Sequence, residues 1–185
     1  MPAHRSELRD RLHATRDRFA AGAGPDTQAA LADRLQGVLA ELLPDRLGLY
    51  WPLRSEFNAA VACLADKSLQ STPLALPYAR RSPREMHYRT WDRAHPMLRD
   101  ECGIPAPDGA PVVPDVVLVP CLGYTASGFR LGYGGGYFDR WLAAHPQVTS
   151  VGVAWSACEI DEAELKPQPH DQRLMLVVTE QGVIG

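Results

Sequence analysis

The chain has 185 residues, of which 45% are apolar and 22% charged, and its formal net charge is −3 at pH 7. This length predicts one domain, and the composition is that of a globular chain rather than a disordered one. The negative charge argues against a protein that binds nucleic acid through a general basic field. No apolar run approaches the roughly 20 residues that span a bilayer, and the N-terminus lacks the apolar core of a secretory signal, so we expect a cytoplasmic protein.

The N-terminal segment predicts two helices. Residues 5–19 carry apolar side chains at helical spacing, with three arginines on an adjoining stripe. The apolar positions are Leu8, Leu12 and Phe19, and the arginines are Arg5, Arg9 and Arg16. Solvated side chains that cover the edge of the core are one interpretation of these arginines, and guanidinium groups bordering an anion pocket are the other. A second helix is expected from about Asp26, a candidate N-cap, to Leu43.

The next segment predicts a β-α-β unit. Short apolar runs at 47–53 and 72–79 flank a helical stretch at 56–69, and such a unit normally places its two strands parallel. Residues 80–111 are rich in Arg, Pro and Asp, so we expect them to be largely irregular, with the alternating residues 86–91 as a candidate strand.

The C-terminal half predicts the remaining strands of the same sheet. Residues 114–122 form a continuous Val and Leu run, which is typical of a strand buried on both faces. A glycine-rich turn, a helix at 137–145 and strands at 148–155 and 174–180 follow. The pattern predicts an α/β fold with three layers, in which a mostly parallel sheet carries helices on both faces.

Residues 119–142 contain the strongest candidate site. They run from a buried strand through several glycines into a helix, and ligands of open α/β sheets bind beyond the carboxyl ends of such strands. The glycines are Gly128, Gly132, Gly134, Gly135 and Gly136. Tyr137 stands where the dinucleotide pattern needs glycine and the Walker pattern needs lysine, so neither fits. Glycine amides, a helix N-terminus and the guanidinium of Arg130 nevertheless favour an anion site over a structural turn.

Two carboxylates could bring a metal to this anion site. Asp139 lies in the first turn of the expected helix, where the helix dipole alone favours an acid. Beside a polyphosphate the same carboxylate would need a cation between the two negative groups, and Mg²⁺ binds one or two carboxylates together with phosphate oxygens. Asp171 is a second candidate ligand, although an exposed loop acid is its simpler interpretation.

The motif RLGYGGGYFDRWL at 130–142 closely resembles the signature of the 5-formyltetrahydrofolate cyclo-ligase family, also called 5,10-methenyltetrahydrofolate synthetases. Further motifs of this family occur in the same order along nearly the whole chain. They are the basic pair Arg5 and Arg9, Trp51-Pro52 with Glu56, the strand end at 119–123, and His170-Asp171. One pair departs from the family pattern, because Tyr124-Thr125 stands where Phe-Asp is common.

The resemblance implies an ATP- and Mg²⁺-dependent enzyme. ATP would phosphorylate the formyl oxygen of 5-formyltetrahydrofolate, and closure of the 5,10-methenyl bridge would release phosphate. The implied ATP-binding residues are Arg5, Arg9, Gly128, Arg130, Leu131, Gly132, Tyr133, Gly134, Gly135 and Gly136. The implied folate-binding residues are Trp51, Glu56, Gly132, Tyr133, Gly134, Gly135, Gly136 and Tyr137. Asp139 and Asp171 would hold Mg²⁺, and Arg130 and Tyr137 would be catalytic.

Two alternatives compete with this hypothesis. A related enzyme of the same fold could act on another pterin or heterocycle, which the unusual Thr125 would favour. A non-catalytic folate- or nucleotide-binding module could instead contact RNA through the arginines and aromatic residues of 80–99, although the acids among them favour a solvated loop. On the leading hypothesis the partner is a small folate and not a nucleic acid or a membrane, and the chain is a monomer or a weak homo-oligomer.

Overall fold

An eight-stranded sheet forms the centre of the computed structural model, which describes residues 2–94 and 98–185. The helices are α1 (Pro2–Gly22), α2 (Pro25–Leu42), α3 (Ala59–Ala65), α4 (Tyr137–Ala144) and α5 (Glu162–Leu165). The strands are β1 (Leu47–Gly48), β2 (Leu74–Arg81), β3 (Arg84–Trp91), β4 (Leu98–Arg99), β5 (Pro105–Ala106), β6 (Pro111–Val112), β7 (Val116–Pro120), β8 (Gly123–Tyr124), β9 (Arg130–Leu131), β10 (Thr149–Val153), β11 (Leu176–Val178) and β12 (Val183–Ile184).

The sheet is parallel in its middle and antiparallel at both edges. Its strand order is β12-β11-β10-β7-β1-β2-β3-β6. Strands β11, β10, β7, β1 and β2 run parallel, whereas β12, β3 and β6 each pair antiparallel with a neighbour. The expected parallel pairing of the two strands in the β-α-β unit is confirmed by the β1–β2 ladder.

Helices cover both faces of this sheet, which confirms the predicted three-layer α/β class. Val116 and Leu118 of β7 pack into the core cluster that contains the apolar side of α1, α2 and α3. Val117 and Val119 point to the opposite cluster, which contains Trp141 of α4. Both faces of β7 are therefore buried, as its continuous apolar run predicts. Among the residues that the structure describes, no helix combines the length and the apolar character needed to span a membrane.

The expectation of a largely irregular segment at 80–111 is wrong for its first part. Strands β2 and β3 pair along their full lengths, and β3 also pairs with β6. The alternation that marked 86–91 extends through β3, where Met86 and Tyr88 are buried. The arginine content of this segment suggested irregular chain. In the structure Arg89 packs within the hairpin, over the ring of Tyr78, with its Cζ 3.8 Å from the ring centre. Residues 95–97 of this segment lie outside the described residues.

Helix ends in the first half also differ from expectation. Gly24 is the N-cap of α2, so Asp26 lies in the first helical turn and is not the cap that was predicted. Pro25 can begin the helix because the first helical residues donate no hydrogen bond within the helix, and the N–H that proline lacks is not needed there. The predicted helix at 56–69 begins only at Ala59, where the side chain of Asn58 accepts a hydrogen bond from the N–H of Val61. Since β1 is also shorter than predicted, an irregular loop of about ten residues joins β1 to α3 and brings side chains to the candidate site.

Candidate functional site

A cavity of about 390 Å³ lies beyond the carboxyl ends of β1 and β7, where open α/β sheets bind ligands. Most of the site residues suggested by sequence line this one cavity. They are Arg5, Arg9, Trp51, Glu56, Arg130, Leu131, Gly132, Tyr133, Gly134, Gly135, Gly136, Tyr137, Asp139 and Asp171. Four segments therefore meet at one place: helix α1, the β1–α3 loop, the glycine loop (residues 132–136) and the segment before β11.

Gly128 is absent from the cavity lining in the described part of the chain. It lies in the turn between β8 and β9, where its N–H donates to the carbonyl of Thr125 and its own carbonyl accepts from the N–H of Leu174. Its φ of +87° favours glycine, and a Cβ there would lie 2.7 Å from the Leu174 carbonyl oxygen. Turn geometry accounts for this glycine without a ligand.

The glycine loop leaves room for a buried guanidinium. Arg130 is only 6% exposed, and its Nη2 donates to Oδ2 of Asp139 at 3.0 Å. Its Nε is buried and has no hydrogen-bond partner in the described part of the chain. A Cβ on Gly132 would lie 2.5 Å from Nη1 of Arg130, so a larger residue there would displace this guanidinium. The unsatisfied donor beside the cavity suits an anionic ligand.

Two arginines of α1 complete the basic side of the cavity. Nε of Arg9 donates to the carbonyl of Gly132 at 2.8 Å and ties α1 to the glycine loop. Gly134 has φ +91°, and a Cβ there would lie 3.2 Å from Cζ of Arg9. One Nη of Arg5 donates to Asp171 at 3.2 Å, and a second bond makes this pair bidentate. These two guanidinium groups and Arg130 all line the cavity.

Asp139 and Asp171 each hold an arginine, in contrast to the exposed loop acid that sequence alone would favour at 171. The Asp171 side chain is 8% exposed. Its burial disfavours the charged form, but hydrogen bonds from Arg5 and from the N–H of Gln168 outweigh that effect and hold the pKa of Asp171 below its ordinary value. Across residues 2–94 and 98–185, no group of three or more His, Cys, Asp or Glu side chains could hold a metal. A cation at these two carboxylates would need ligand oxygens as well.

Glu56 forms the acidic part of the cavity. Its carboxylate accepts from the N–H of Leu53 at 2.7 Å and from the hydroxyl of Tyr133 at 2.6 Å. Burial raises the pKa of Glu56, and these two hydrogen bonds together with the charge of Arg16 offset the effect only in part. A buried carboxylate with remaining acceptor capacity can recognise N–H donors of a heterocycle. Trp51 lines the same cavity.

Sequence reasoning missed the side of the cavity that the β4–β5 turn supplies. Asp100 accepts hydrogen bonds from the N–H groups of Ala79, Cys102 and Ile104, and so holds this turn against β2. Sγ of Cys102 lies 3.2 Å from the hydroxyl of Tyr137. This hydrogen bond and partial burial raise the pKa of Tyr137, so its hydroxyl stays protonated at neutral pH. No local sequence motif predicts the contacts of Asp100 and Cys102, because these contacts depend on how the β2–β3 hairpin folds.

The free cysteines give a direct test of the cavity. Cys63, Cys121 and Cys158 are buried, and burial raises the pKa of the first two to about 12 and of the third to about 11, whereas Cys102 is half-buried. We expect iodoacetamide to alkylate Cys102 at least about tenfold faster than the others. ATP with 5-formyltetrahydrofolate should slow that reaction, measured by peptide mass spectrometry with Cys102→Ser as control. Equal rates with and without both ligands would contradict the assignment of this cavity.

The chain matches a protein-family model over nearly its whole length. The model of the 5-formyltetrahydrofolate cyclo-ligase family matches residues 2–180. The chain belongs to this family. Two proteins named 5-formyltetrahydrofolate cyclo-ligase are similar to this chain. The Mycoplasma pneumoniae protein is 31% identical over 68 residues, and the Mycolicibacterium smegmatis protein is 36% identical over 72 residues. These stretches cover 36% and 38% of this chain and only 40% and 37% of the relatives.

Solved structures of cyclo-ligase relatives share the fold over much more of the chain. The Aquifex aeolicus 5,10-methenyltetrahydrofolate synthetase superposes with a TM-score of 0.72 at 25% identity, over 97% of this chain and 91% of that one. The 5,10-methenyltetrahydrofolate synthetase of Mycoplasma pneumoniae gives a TM-score of 0.71 at 18% identity, over 94% and 97% of the two chains. The second likeness supports the fold alone.

The departure from the cyclo-ligase pattern at Thr125 has a local structural role. Its hydroxyl accepts from the N–H of Phe129 at 3.1 Å and contacts the hydroxyl of Ser127 at 2.9 Å. The side chain is buried in the β8–β9 turn and is not part of the described cavity lining. Thr125 therefore closes the turn that leads into Arg130.

Proposed function

We propose that the chain catalyses the ATP-dependent cyclisation of 5-formyltetrahydrofolate to 5,10-methenyltetrahydrofolate. The observation that carries this proposal is that the basic glycine loop and the buried acid Glu56 lie in the same cavity. The first suits a polyphosphate, and the second suits the N–H groups of a pterin ring. Family membership supports the choice of these two ligands.

Arg5, Arg9 and Arg130 would bind the phosphates of ATP. Each guanidinium is a permanently charged, forked donor, and all three residues line the cavity. The formyl oxygen would attack the γ-phosphorus, ADP would leave, and N10 would then attack the activated carbon and release phosphate. In this reaction the protein mainly positions the two substrates and stabilises the charge that develops on the transferred phosphoryl group. Gly132 to Gly136 would lie between the two substrates, within reach of the transferred group.

Glu56 and Trp51 would hold the pterin ring, and Tyr137 would contribute a hydroxyl at the far side of the cavity. The carboxylate of Glu56 can accept two N–H donors in one plane. The Tyr137 hydroxyl already donates to the carbonyl of Arg80 at 3.1 Å, which fixes its position. We assign Arg130 and Tyr137 as the catalytic residues, because both line the cavity that would hold the two substrates.

Asp139 and Asp171 would hold Mg²⁺ together with phosphate oxygens. Both carboxylates line the cavity next to the arginines proposed for ATP. When bound, Mg²⁺ would neutralise charge on the phosphates. Arg130 and Arg5 donate to these carboxylates, whose remaining oxygen lone pairs would bind the cation.

Neutralising either metal carboxylate should raise the Mg²⁺ requirement. We expect Asp139→Asn and Asp171→Asn to increase the Mg²⁺ concentration for half-maximal activity by at least about tenfold, since each removes one anionic oxygen ligand. The exposed Asp10→Asn on α1 is the matched control. Initial rates over a Mg²⁺ titration at saturating ATP give the measurement, and an unchanged Mg²⁺ dependence in both variants would exclude these ligands.

The reaction stoichiometry tests the proposed function. We expect one ADP and one phosphate for each methenyl product, with no ADP formed when the folate is omitted. Release of ADP without the folate would indicate a different acceptor.

The alternative of another heterocycle loses support, since the unusual Thr125 lies in a turn. We further propose a cytoplasmic enzyme that binds no nucleic acid and acts as a monomer or weak homo-oligomer.

A further inference from the structure

Arg16 is a charged side chain buried in the core beside the cavity. It is only 1% exposed, and its Nε donates to the hydroxyl of Ser55 at 3.1 Å. Neither Nη1 nor Nη2 has a hydrogen-bond partner in the described part of the chain. The interpretation of the α1 arginines as solvated side chains is therefore wrong for Arg16. An uncompensated buried guanidinium is costly, so its position implies an anionic partner.

Glu56 is that partner. Nη1 of Arg16 lies 3.6 Å from Oε1 of Glu56, whose side chain is 4% exposed. Glu56 lines the cavity, whereas Arg16 is not part of its described lining. Arg16 therefore contacts the carboxylate from a buried position outside the described cavity lining. The charge of Arg16 favours the ionised form of Glu56, together with the hydrogen bonds that the carboxylate accepts from Tyr133 and Leu53.

The surroundings of Arg16 hold the guanidinium in place. Ser55 links it to the rest of the core, because the Ser55 hydroxyl also donates to Asp17 and the Ser55 carbonyl accepts from Nε1 of Trp155 at 3.0 Å. The ring of Trp155 packs against Phe19 of the same helix, with ring centres 5.5 Å apart. The guanidinium is therefore held by Ser55 of the β1–α3 loop, and Ser55 is held in turn by Asp17 of α1 and by Trp155 after β10.

The tyrosine, cysteine and histidine side chains around Glu56 are neutral at neutral pH, whereas the three arginines that line the same cavity are charged. Burial raises the pKa of Tyr50, Tyr133 and Cys121, so the hydroxyls and the thiol keep their protons. His13 packs against Tyr133, and burial together with the charge of Arg16 lowers the pKa of this histidine. In the part of the chain that the structure describes, the positive charge at ion-pair distance from Glu56 is that of Arg16.

We propose that Arg16 is a positioning residue that keeps the Glu56 carboxylate ionised and oriented to accept the N–H donors of the substrate ring. The inference rests on the proposed function, because it assumes that Glu56 binds the heterocycle. Ser55 and Trp155 extend this arrangement by fixing the guanidinium. Arg16 itself touches neither substrate.

The first test needs no ligand. Carbon-13 labelling of glutamate carboxyls gives the titration of Glu56 in the free protein, with Glu56→Gln identifying the resonance. We expect Arg16→Met to raise the Glu56 midpoint by about one pH unit or more, and Arg16→Lys to restore part of the difference. Ser55→Ala, which keeps the charge but removes the Nε partner, should raise it less and provides a second variant if Arg16→Met does not fold. An unchanged midpoint in the folded variants would overturn the proposal.

The second test connects the charge to the substrate. At pH 7 we expect Arg16→Met to weaken 5-formyltetrahydrofolate binding by about tenfold and to leave ATP binding unchanged, with a larger loss at lower pH. In the Glu56→Gln background, Arg16→Met should cause little further loss. A shifted titration with unchanged folate affinity would overturn the positioning role. Wild-type protein that binds no formyl folate, while the Glu56 titration still shifts, would overturn the proposed function and support the Arg16–Glu56 linkage.

Discussion

Replacing Arg130 by methionine is expected to lower kcat/KM for 5-formyltetrahydrofolate by about 10²–10³-fold. The side chain is buried beside the cavity, one Nη is held by Asp139, and Nε has no partner in the described part of the chain. A fixed donor of this kind needs no reorganisation when charge develops on the transferred phosphoryl group. Methionine keeps the apolar length of the side chain, so the loss would report the guanidinium rather than a cavity.

Steady-state rates with circular dichroism as a fold control test this prediction. The exposed Arg18→Met on α1 is the matched control and should retain wild-type rates. Arg130→Lys should recover only part of the activity, because a single ammonium keeps the charge but lacks the fork that contacts Asp139 and a phosphate together. Full activity in folded Arg130→Met would remove Arg130 from the catalytic site.

Replacing Glu56 by glutamine is expected to weaken 5-formyltetrahydrofolate binding by about 10–10²-fold and to leave ATP binding unchanged. The carboxylate offers only acceptors, whereas the amide offers an N–H₂ group that would face the N–H donors of the pterin. Equilibrium binding of each ligand measured separately distinguishes the two effects. The exposed Glu41→Gln on α2 is the matched control, and an equal loss of ATP and folate affinity in Glu56→Gln would indicate a general disturbance of the cavity.

The pH dependence of folate binding should identify the charged form of Glu56 as the active one. Because burial raises the pKa of Glu56, the carboxylate gains its proton at a higher pH than an ordinary glutamate does. Affinity that needs the ionised form is complete above this raised pKa and is lost as pH falls through it. The Glu56→Gln variant should lack this acidic limb, and a limb that persists unchanged in the variant would belong to another group.

The fold could be predicted where burial makes the sequence pattern simple. The Val and Leu run of β7 is buried on both faces, and the apolar stripe of α1 includes the buried Leu8 and Leu12. The runs at 72–79 and 86–91 predicted parts of β2 and β3, but their pairing into a hairpin was not predicted, because arginine and proline suggest irregular chain between them. Arg89 shows why that indication failed: its charged guanidinium stacks on the ring of Tyr78 across the hairpin, so this arginine is part of the packing of the strands.

The site could be predicted where its residues form a local motif. Residues 130–139 are contiguous, so their chemistry can be inferred without knowing the topology. The burial of Arg16 could not be predicted from the sequence. A helical wheel places Arg16 beside the core, but it does not show that Ser55 and Glu56 approach from another segment. Cys102 reaches the cavity only through the turn that Asp100 organises. Gly128 shows the opposite case, since a turn glycine next to a ligand loop looks like part of that loop.

The most direct test of the account is the near-ultraviolet absorbance of 5,10-methenyltetrahydrofolate formed from 5-formyltetrahydrofolate by the purified chain. We predict that absorbance rises only when ATP and Mg²⁺ are both present. No rise in a folded chain that binds ATP would contradict the proposed substrate. A rise that continues without ATP would contradict the assignment of the glycine loop and its arginines to phosphoryl transfer.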